Sequence, residues 1–173
     1  GKSSLCLKLP LLSITYPSHS ERNRMETPSQ FTTVLLIDPN NDDRQYWMER
    51  ITSSSAHYKV FEAKDAETGL ALCHSERVDC VVMELHLPDM SGFQVLMRLN
   101  PIIRGLQTPV VALSQFILPS IAEAAKKLGA QSYLIKSQAS GDDLDRAIQK
   151  AIAGVGVMRK EVYVRKAKKK STA

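Results

Sequence analysis

Four polar side chains in this 173-residue sequence stand at the ends of apolar stretches that read as strands. They are two carboxylates, a hydroxyl and an ammonium: Asp38, Glu84, Ser114 and Lys136. The carboxyl ends of neighbouring parallel strands meet at one edge of a sheet, so we expect these groups to converge there. Carboxylates bind Mg²⁺, whereas a hydroxyl and a lysine bind phosphoryl oxygens. The set therefore predicts a shallow crevice suited to phosphoryl groups.

The elements that must carry these residues alternate between strand and helix patterns. Short apolar or β-branched runs predict five strands, at 32–37, 59–63, 80–83, 108–113 and 131–135. Each run is followed by a segment in which apolar residues recur at helical spacing. This alternation predicts an α/β fold: a doubly wound five-stranded parallel sheet of strand order 2-1-3-4-5, with helices on both faces.

Cap and turn residues mark the helix ends. Pro119 opens a helix that Gly129 closes, and Ser140 with Asp143 forms a capping box. Asp42 and Asp43 fall in the first turn of the first helix, where we expect them to cap the helix or complement its dipole.

Composition, 43% hydrophobic and 24% charged, suits one globular domain with extensions. We predict an N-terminal extension or linker at 1–30, a domain at 31–157 and a basic tail at 158–173. The net charge of +5 belongs to the tail, which carries seven basic residues and one acidic residue from Arg159 onward. No apolar run approaches the ~20 residues of a membrane span. The three cysteines lack metal-ligand spacing, which favours buried thiols in a reducing cytosol.

Motifs across about residues 32–154 resemble the receiver domain of two-component response regulators. They are Ile37-Asp38, Leu87-Pro88-Asp89-Met90-Ser91-Gly92, Thr108-Pro109-Val110-Val111-Ala112-Leu113-Ser114, and Gly129-Ala130 with Tyr133-Leu134-Ile135-Lys136. The resemblance implies a flavodoxin-like receiver fold with the phosphoacceptor position at Glu84 and the acidic pocket at Asp38. It also implies switch and phosphate-site positions at Ser114, Tyr133 and Lys136. Residues 1–14 resemble the last strand of a histidine-kinase ATP-binding domain, which would make the chain a fragment of a hybrid kinase.

Four residues depart from the family's pattern: Glu84, Pro39, Gln115 where a small residue is usual, and Ser137 where a proline is usual. Glu84 stands where the family has its acceptor aspartate, and Pro39 stands where it has a second metal carboxylate. Glutamate moves the attacking oxygen by one methylene, and a misplacement of about 1 Å can cost roughly 10²-fold in rate. We therefore expect an atypical receiver that is not an enzyme and needs no cofactor. Only under normal acceptor chemistry would Asp38 and Glu84 hold Mg²⁺.

The expected function is a cytoplasmic protein-interaction module in phosphorelay signalling. The alternative is a working phosphoacceptor that takes a phosphoryl group from a histidine kinase with Mg²⁺. Expected partners are a histidine kinase, an output domain or another receiver, including a second copy of this chain. They would dock on the face formed by the fourth helix, fifth strand and fifth helix. Nucleic-acid binding through the basic tail is disfavoured, because the tail has no second helical module.

Two alternatives about particular side chains stay open at the level of sequence. The Glu84 carboxylate either reaches Ser114 and Lys136, where a phosphoryl group would sit, or forms a plain salt bridge with Lys136 in a retired site. The apolar loop at Phe116 and Leu118 either offers an interface or folds back onto the core.

Overall fold

The computed structural model describes residues 31–100 and 108–170, with side chains up to residue 155. The predicted extension at 1–30 lies outside these ranges. Five strands form one parallel sheet in the order β2-β1-β3-β4-β5, which confirms the predicted fold and order. The strands are β1 Thr32–Ile37, β2 Tyr58–Ala63, β3 Cys80–Met83, β4 Val110–Ser114 and β5 Ser132–Ile135. The helices are α1 Asn41–Ser54, α2 Ala66–Ser75, α3 Gly92–Leu99, α4 Pro119–Lys127 and α5 Gly141–Lys170.

Helices cover both faces of the sheet, so the central strands are apolar on both sides. Successive β1 residues point to opposite faces: Leu35 and Ile37 pack with α2, α3 and α4, whereas Val34 and Leu36 pack with α1 and α5. The strands β1, β3 and β4 are almost completely buried. This packing fixes the positions of the strand ends relative to one another.

Strand register places the polar residues side by side. Ile37 pairs with Met83, so Asp38 and Glu84 follow at the same level of two neighbouring strands. Ser114 pairs with Ile135, and the Lys136 amide donates to the Ser114 carbonyl at 2.9 Å. The crevice is thus a consequence of the sheet itself.

The predicted caps are present at the helix ends. Ser140 and Asp143 form the reciprocal hydrogen bonds of a capping box at the start of α5. Gly129 follows α4 with a φ of 108°, a conformation that favours glycine.

Helix α5 passes through the predicted boundary between residues 157 and 158 without a break. Its backbone remains helical to Lys170, so the basic segment continues the helix that packs on the sheet. The segment holds many good helix formers and no proline, and lysines at a helix C-terminus complement the dipole. No helix in the described part of the chain combines the length and apolarity that a membrane span needs.

Two glycines give a matched test of the packing that positions the crevice. A Cβ on Gly92, where α3 begins, would lie 2.6 Å from the backbone Cα of Leu85, whereas a Cβ on Gly154 would meet nothing within 4 Å. We expect Gly92→Ala to lower the free energy of unfolding by about 1–3 kcal/mol, because backbone must move. Gly154→Ala should raise it by about 0.5–1 kcal/mol through helix propensity. Urea unfolding of the two variants measures both changes, and equal changes would contradict the packing.

Candidate functional site

The four predicted side chains meet at the carboxyl edge of the sheet. Asp38, Glu84 and Ser114 are buried, and the Lys136 side chain is 12% exposed. The Lys136 ammonium lies 2.6 Å from Asp38 Oδ2 and 3.2 Å from Glu84 Oε2. The predicted convergence is therefore what the structure shows.

Glu84 has hydrogen-bond donors around both of its oxygens. Oε1 accepts from the backbone amides of Leu85 at 2.6 Å and His86 at 3.2 Å, and from Ser114 Oγ at 2.5 Å. Oε2 accepts from the Gln115 amide at 3.2 Å and also faces Lys136. Glu84 thus touches both Ser114 and Lys136, and a plain salt bridge would require only the second of these.

A third carboxylate, which sequence reasoning assigned elsewhere, also belongs to this site. Asp43 Oδ2 lies 2.8 Å from the Lys136 ammonium, although the residues are 93 positions apart. Asn40 caps α1, since its Oδ1 accepts from the amides of Asp42 and Asp43, and of the two roles expected for these acids the structure leaves complementation of the helix dipole in the first turn. Asp43 is thereby free to point its side chain at Lys136, and that contact had no signal in the sequence.

Burial and ion pairing act against each other on the charged groups. Burial lowers the pKa of Lys136, but the hydrogen bonds that its ammonium donates to Asp38 and Asp43 outweigh this effect and leave the pKa above its ordinary value. Burial raises the pKa of Asp38, and the contact with Lys136 offsets only part of that rise. The ammonium therefore opposes the effect of burial on Asp38, whose pKa would otherwise be raised further.

The turn between β1 and α1 is held by Arg44. Its guanidinium donates to the Asp38 carbonyl at 2.9 Å and to Asn41 Oδ1 at 2.7 Å, and pairs with Glu62 at 3.2 Å. Pro39 stands within this turn, exposed, and its ring offers no side-chain oxygen to a metal.

The loop after β3 is held by Asp89 of the Leu-Pro-Asp-Met-Ser-Gly motif. The two Asp89 oxygens accept from the amides of Ala66 at 3.0 Å and Glu67 at 2.8 Å, at the start of α2. These bonds fasten the loop that carries the Leu85 and His86 amides, both of which donate to Glu84. The motif thus helps to shape the crevice by holding this loop in position.

The loop after β4 joins the crevice to Tyr133. The Tyr133 hydroxyl donates to the Phe116 carbonyl at 2.7 Å, and the Phe116 amide lies 3.4 Å from Ser114 Oγ. Burial, together with the negative charge of Glu84, raises the pKa of Tyr133. Glu84, Ser114, the loop backbone and Tyr133 thus form one continuous set of contacts.

The apolar residues of this loop differ in exposure, which bears on whether the loop offers an interface or folds back onto the core. Phe116 is half-buried, with its ring edge-on to His86 at 6.2 Å between centroids. Ile117 and Leu118 are 65% and 57% exposed, so of the two alternatives left open Leu118 follows the exposed one and does not fold back onto the core. Exposed apolar side chains therefore lie next to the crevice.

No group of three or more His, Cys, Asp and Glu side chains is placed to hold a metal ion in the part of the chain that the structure describes. Asp38, Asp43 and Glu84 are close together, but an ammonium lies between them. The three carboxylates thus converge on the Lys136 side chain.

Comparison with known proteins gives the context of this site. The sensory/regulatory protein RpfC of Xanthomonas campestris is 28% identical over 121 residues, which are 69% of this chain and 16% of RpfC. The nitrate/nitrite response regulator NarL of Escherichia coli is 30% identical over 126 residues, 73% of this chain and 57% of NarL. The chain thus spans less than two thirds of the length of each of these relatives.

Solved structures agree in fold. A signal receiver domain of an HD domain-containing protein from Pseudomonas fluorescens superposes with a TM-score of 0.62 at 26% identity, covering 73% of this chain and 98% of the other. A response regulator receiver domain protein from Clostridium thermocellum gives 0.65 at 24% identity, covering 74% and 99%. The family model of the response regulator receiver domain matches residues 34–149, most of the described sheet and helices. By this match and its sheet order, the chain belongs to the family of response regulator receiver domains, the modules of two-component signalling.

Proposed function

We propose that this chain is an atypical receiver domain, which acts in phosphorelay signalling through protein contacts and not through acceptor chemistry. The observation that carries the proposal is the saturation of Glu84. Both carboxylate oxygens already accept hydrogen bonds, and the side chain is 3% exposed. A nucleophile must have a free oxygen in line with the phosphorus, and Glu84 has none to offer.

The same contacts make Glu84 a stand-in for a phosphorylated acceptor. A phosphoryl group in this crevice would draw on the Ser114 hydroxyl, the Lys136 ammonium and nearby amides, and the Glu84 carboxylate already uses all three kinds of donor. Its charge of −1 is smaller than the roughly −1.5 to −2 of a phosphoryl group, so the replacement is incomplete. We favour this over the plain salt bridge because the Ser114 contact leads on to Tyr133.

The output of such a module is a surface. The loop backbone between Ser114 and Ile117 is held by Glu84 on one side and Tyr133 on the other. Ile117 and Leu118 are consequently presented beside α4 without a phosphorylation step. We place partner binding on α4, β5 and α5, with a histidine kinase, an output domain or another receiver as the partner, in the cytoplasm. A hybrid kinase is the parent protein we favour for this chain.

Treatment with a small phosphoryl donor tests the proposal against its alternative. The full chain, incubated with acetyl phosphate and Mg²⁺, should show no gain of one phosphate in intact-mass spectrometry. The double variant Pro39→Asp/Glu84→Asp restores the missing metal carboxylate and the shorter acceptor side chain, and it should take up phosphate under the same conditions. A one-phosphate gain on the unaltered chain would establish the working phosphoacceptor instead.

A further inference from the structure

The acidic crevice carries its own cation. Receivers of the usual pattern neutralise this site with Mg²⁺, and the resemblance would assign that ion to Asp38 and Glu84. The residues present do not fit it: Pro39 supplies no side-chain oxygen, and the carboxylates that are present converge on an ammonium. Mg²⁺ requires near-octahedral oxygen ligands, and with the ammonium among them these carboxylates cannot form such a shell.

We propose that the Lys136 ammonium is the resident cation of the crevice, that Asp43 is the carboxylate recruited in place of the missing acid at Pro39, and that the site is therefore independent of divalent metal. This goes beyond the proposed function, because a stand-in carboxylate at Glu84 could work with or without a bound ion.

The geometry of the ammonium carries the inference. A lysine ammonium has three N–H donors and no acceptor. Three carboxylates from three segments surround it, at 2.6 Å from Asp38, 2.8 Å from Asp43 and 3.2 Å from Glu84. Three carboxylate oxygens thus lie within ion-pairing distance of one ammonium, and the lysine side chain is only 12% exposed. An incoming metal would have to displace these ion pairs.

The position of Asp43 supports its part in the arrangement. Asp42 and Asp43 are adjacent in the first turn of α1, and Asn40 caps both of their amides. Asp42 is exposed, whereas Asp43 is half-buried with its carboxylate on Lys136. The pair therefore supplies a matched control: two acidic residues at one helix end, of which one touches the ammonium.

Mn²⁺ titration of the unaltered chain, followed by amide NMR, tests the inference without any substitution. The Leu85 and Gln115 amides both donate to Glu84, so a paramagnetic ion in the crevice would broaden their signals first. We expect no selective broadening of these two signals. Saturable, selective broadening would overturn the inference.

Removal of the Lys136 ammonium gives a second test of the counter-ion inference. In Lys136→Met the three carboxylates lose their counter-ion, and Mg²⁺ or Mn²⁺ should then raise Tm by at least about 3 °C over a sodium chloride control of equal ionic strength, against under about 1 °C for the unaltered chain. Asp43→Asn in that background should abolish the gain, and Asp42→Asn should not. A folded Lys136→Met chain with no metal-dependent rise would refute the counter-ion role. If that variant does not fold, the titration of the unaltered chain decides alone.

The two proposals fail separately. Metal binding to the unaltered chain without phosphate uptake would overturn only the counter-ion inference. Phosphate uptake would overturn the proposed function.

Discussion

Replacement of Lys136 by methionine is expected to lower the free energy of unfolding by about 3–5 kcal/mol, because it strands buried carboxylates without their partner. Asp38 and Glu84 are 1% and 3% exposed, so water cannot take over the lost contacts. Urea unfolding, followed by the fluorescence of Trp47, the single and buried tryptophan, measures the loss. Lys150→Met, an exposed lysine of α5, is the control and should change stability by less than about 0.5 kcal/mol.

The pH dependence of this loss has a definite sign. The pKa of Lys136 in the folded chain is raised above its ordinary 10.5, so its stabilisation is fully present below pH 10.5 and is lost as the pH rises through the folded value. The gap in stability between the unaltered chain and Lys136→Met should therefore persist at neutral pH and close in the alkaline range. A loss under about 1 kcal/mol at neutral pH would show that the crevice is hydrated and the ion pair weak.

Topology explains why most of this site could be predicted from sequence. An apolar strand followed by a polar residue can be recognised in the sequence without knowing any side-chain contact. Right-handed crossovers leave few possible sheet orders. The convergence of Asp38, Glu84 and Lys136 follows from those two facts. The proposal that acceptor chemistry is lost also began in the sequence, with a glutamate where the resemblance implies an aspartate.

Contacts between side chains on different elements could not be predicted in the same way. Asp43 stands in a first helical turn, where its charge is already accounted for by the helix dipole, so nothing in the local pattern points to Lys136. Asp89 likewise stands in a turn motif, and its bonds to the start of α2 span more than twenty positions. In both cases a short polar side chain had a sufficient local explanation, and only the packing of the elements shows which partner it reaches.

Glu84→Gln is expected to release the loop after β4, and it does so without changing the size of the side chain. An amide has one oxygen where the carboxylate has two, so one end becomes an NH₂ donor. In one orientation of the amide the new NH₂ group faces the Ser114 hydroxyl and two backbone amides, which are themselves donors. In the other orientation it faces Lys136 and the Gln115 amide, which are donors as well. We expect stability to fall by about 2–4 kcal/mol, the cost of buried donors left without an acceptor.

Amide hydrogen exchange of Gln115 and Phe116 measures the effect on the loop. Each 1.4 kcal/mol of lost local stability is a factor of about ten in exchange rate, so these amides should exchange at least about tenfold faster in Glu84→Gln. The Tyr133 ring signals should shift with them, because its hydroxyl donates to the Phe116 carbonyl. Glu123→Gln, an exposed glutamate of α4, is the control and should change neither signal.

Ser114→Ala then separates the two explanations of Glu84, because it removes the hydroxyl and leaves the Glu84–Lys136 pair in place. If Glu84 holds the switch through Ser114, this variant will reproduce the faster exchange of the Gln115 amide, which donates to Glu84 and not to Ser114, with a smaller loss of stability than Glu84→Gln. If Glu84 serves only as the partner of Lys136, Ser114→Ala will leave the exchange of the Gln115 amide unchanged. The second result would reject the stand-in role, and the counter-ion role of Lys136 would stand without it.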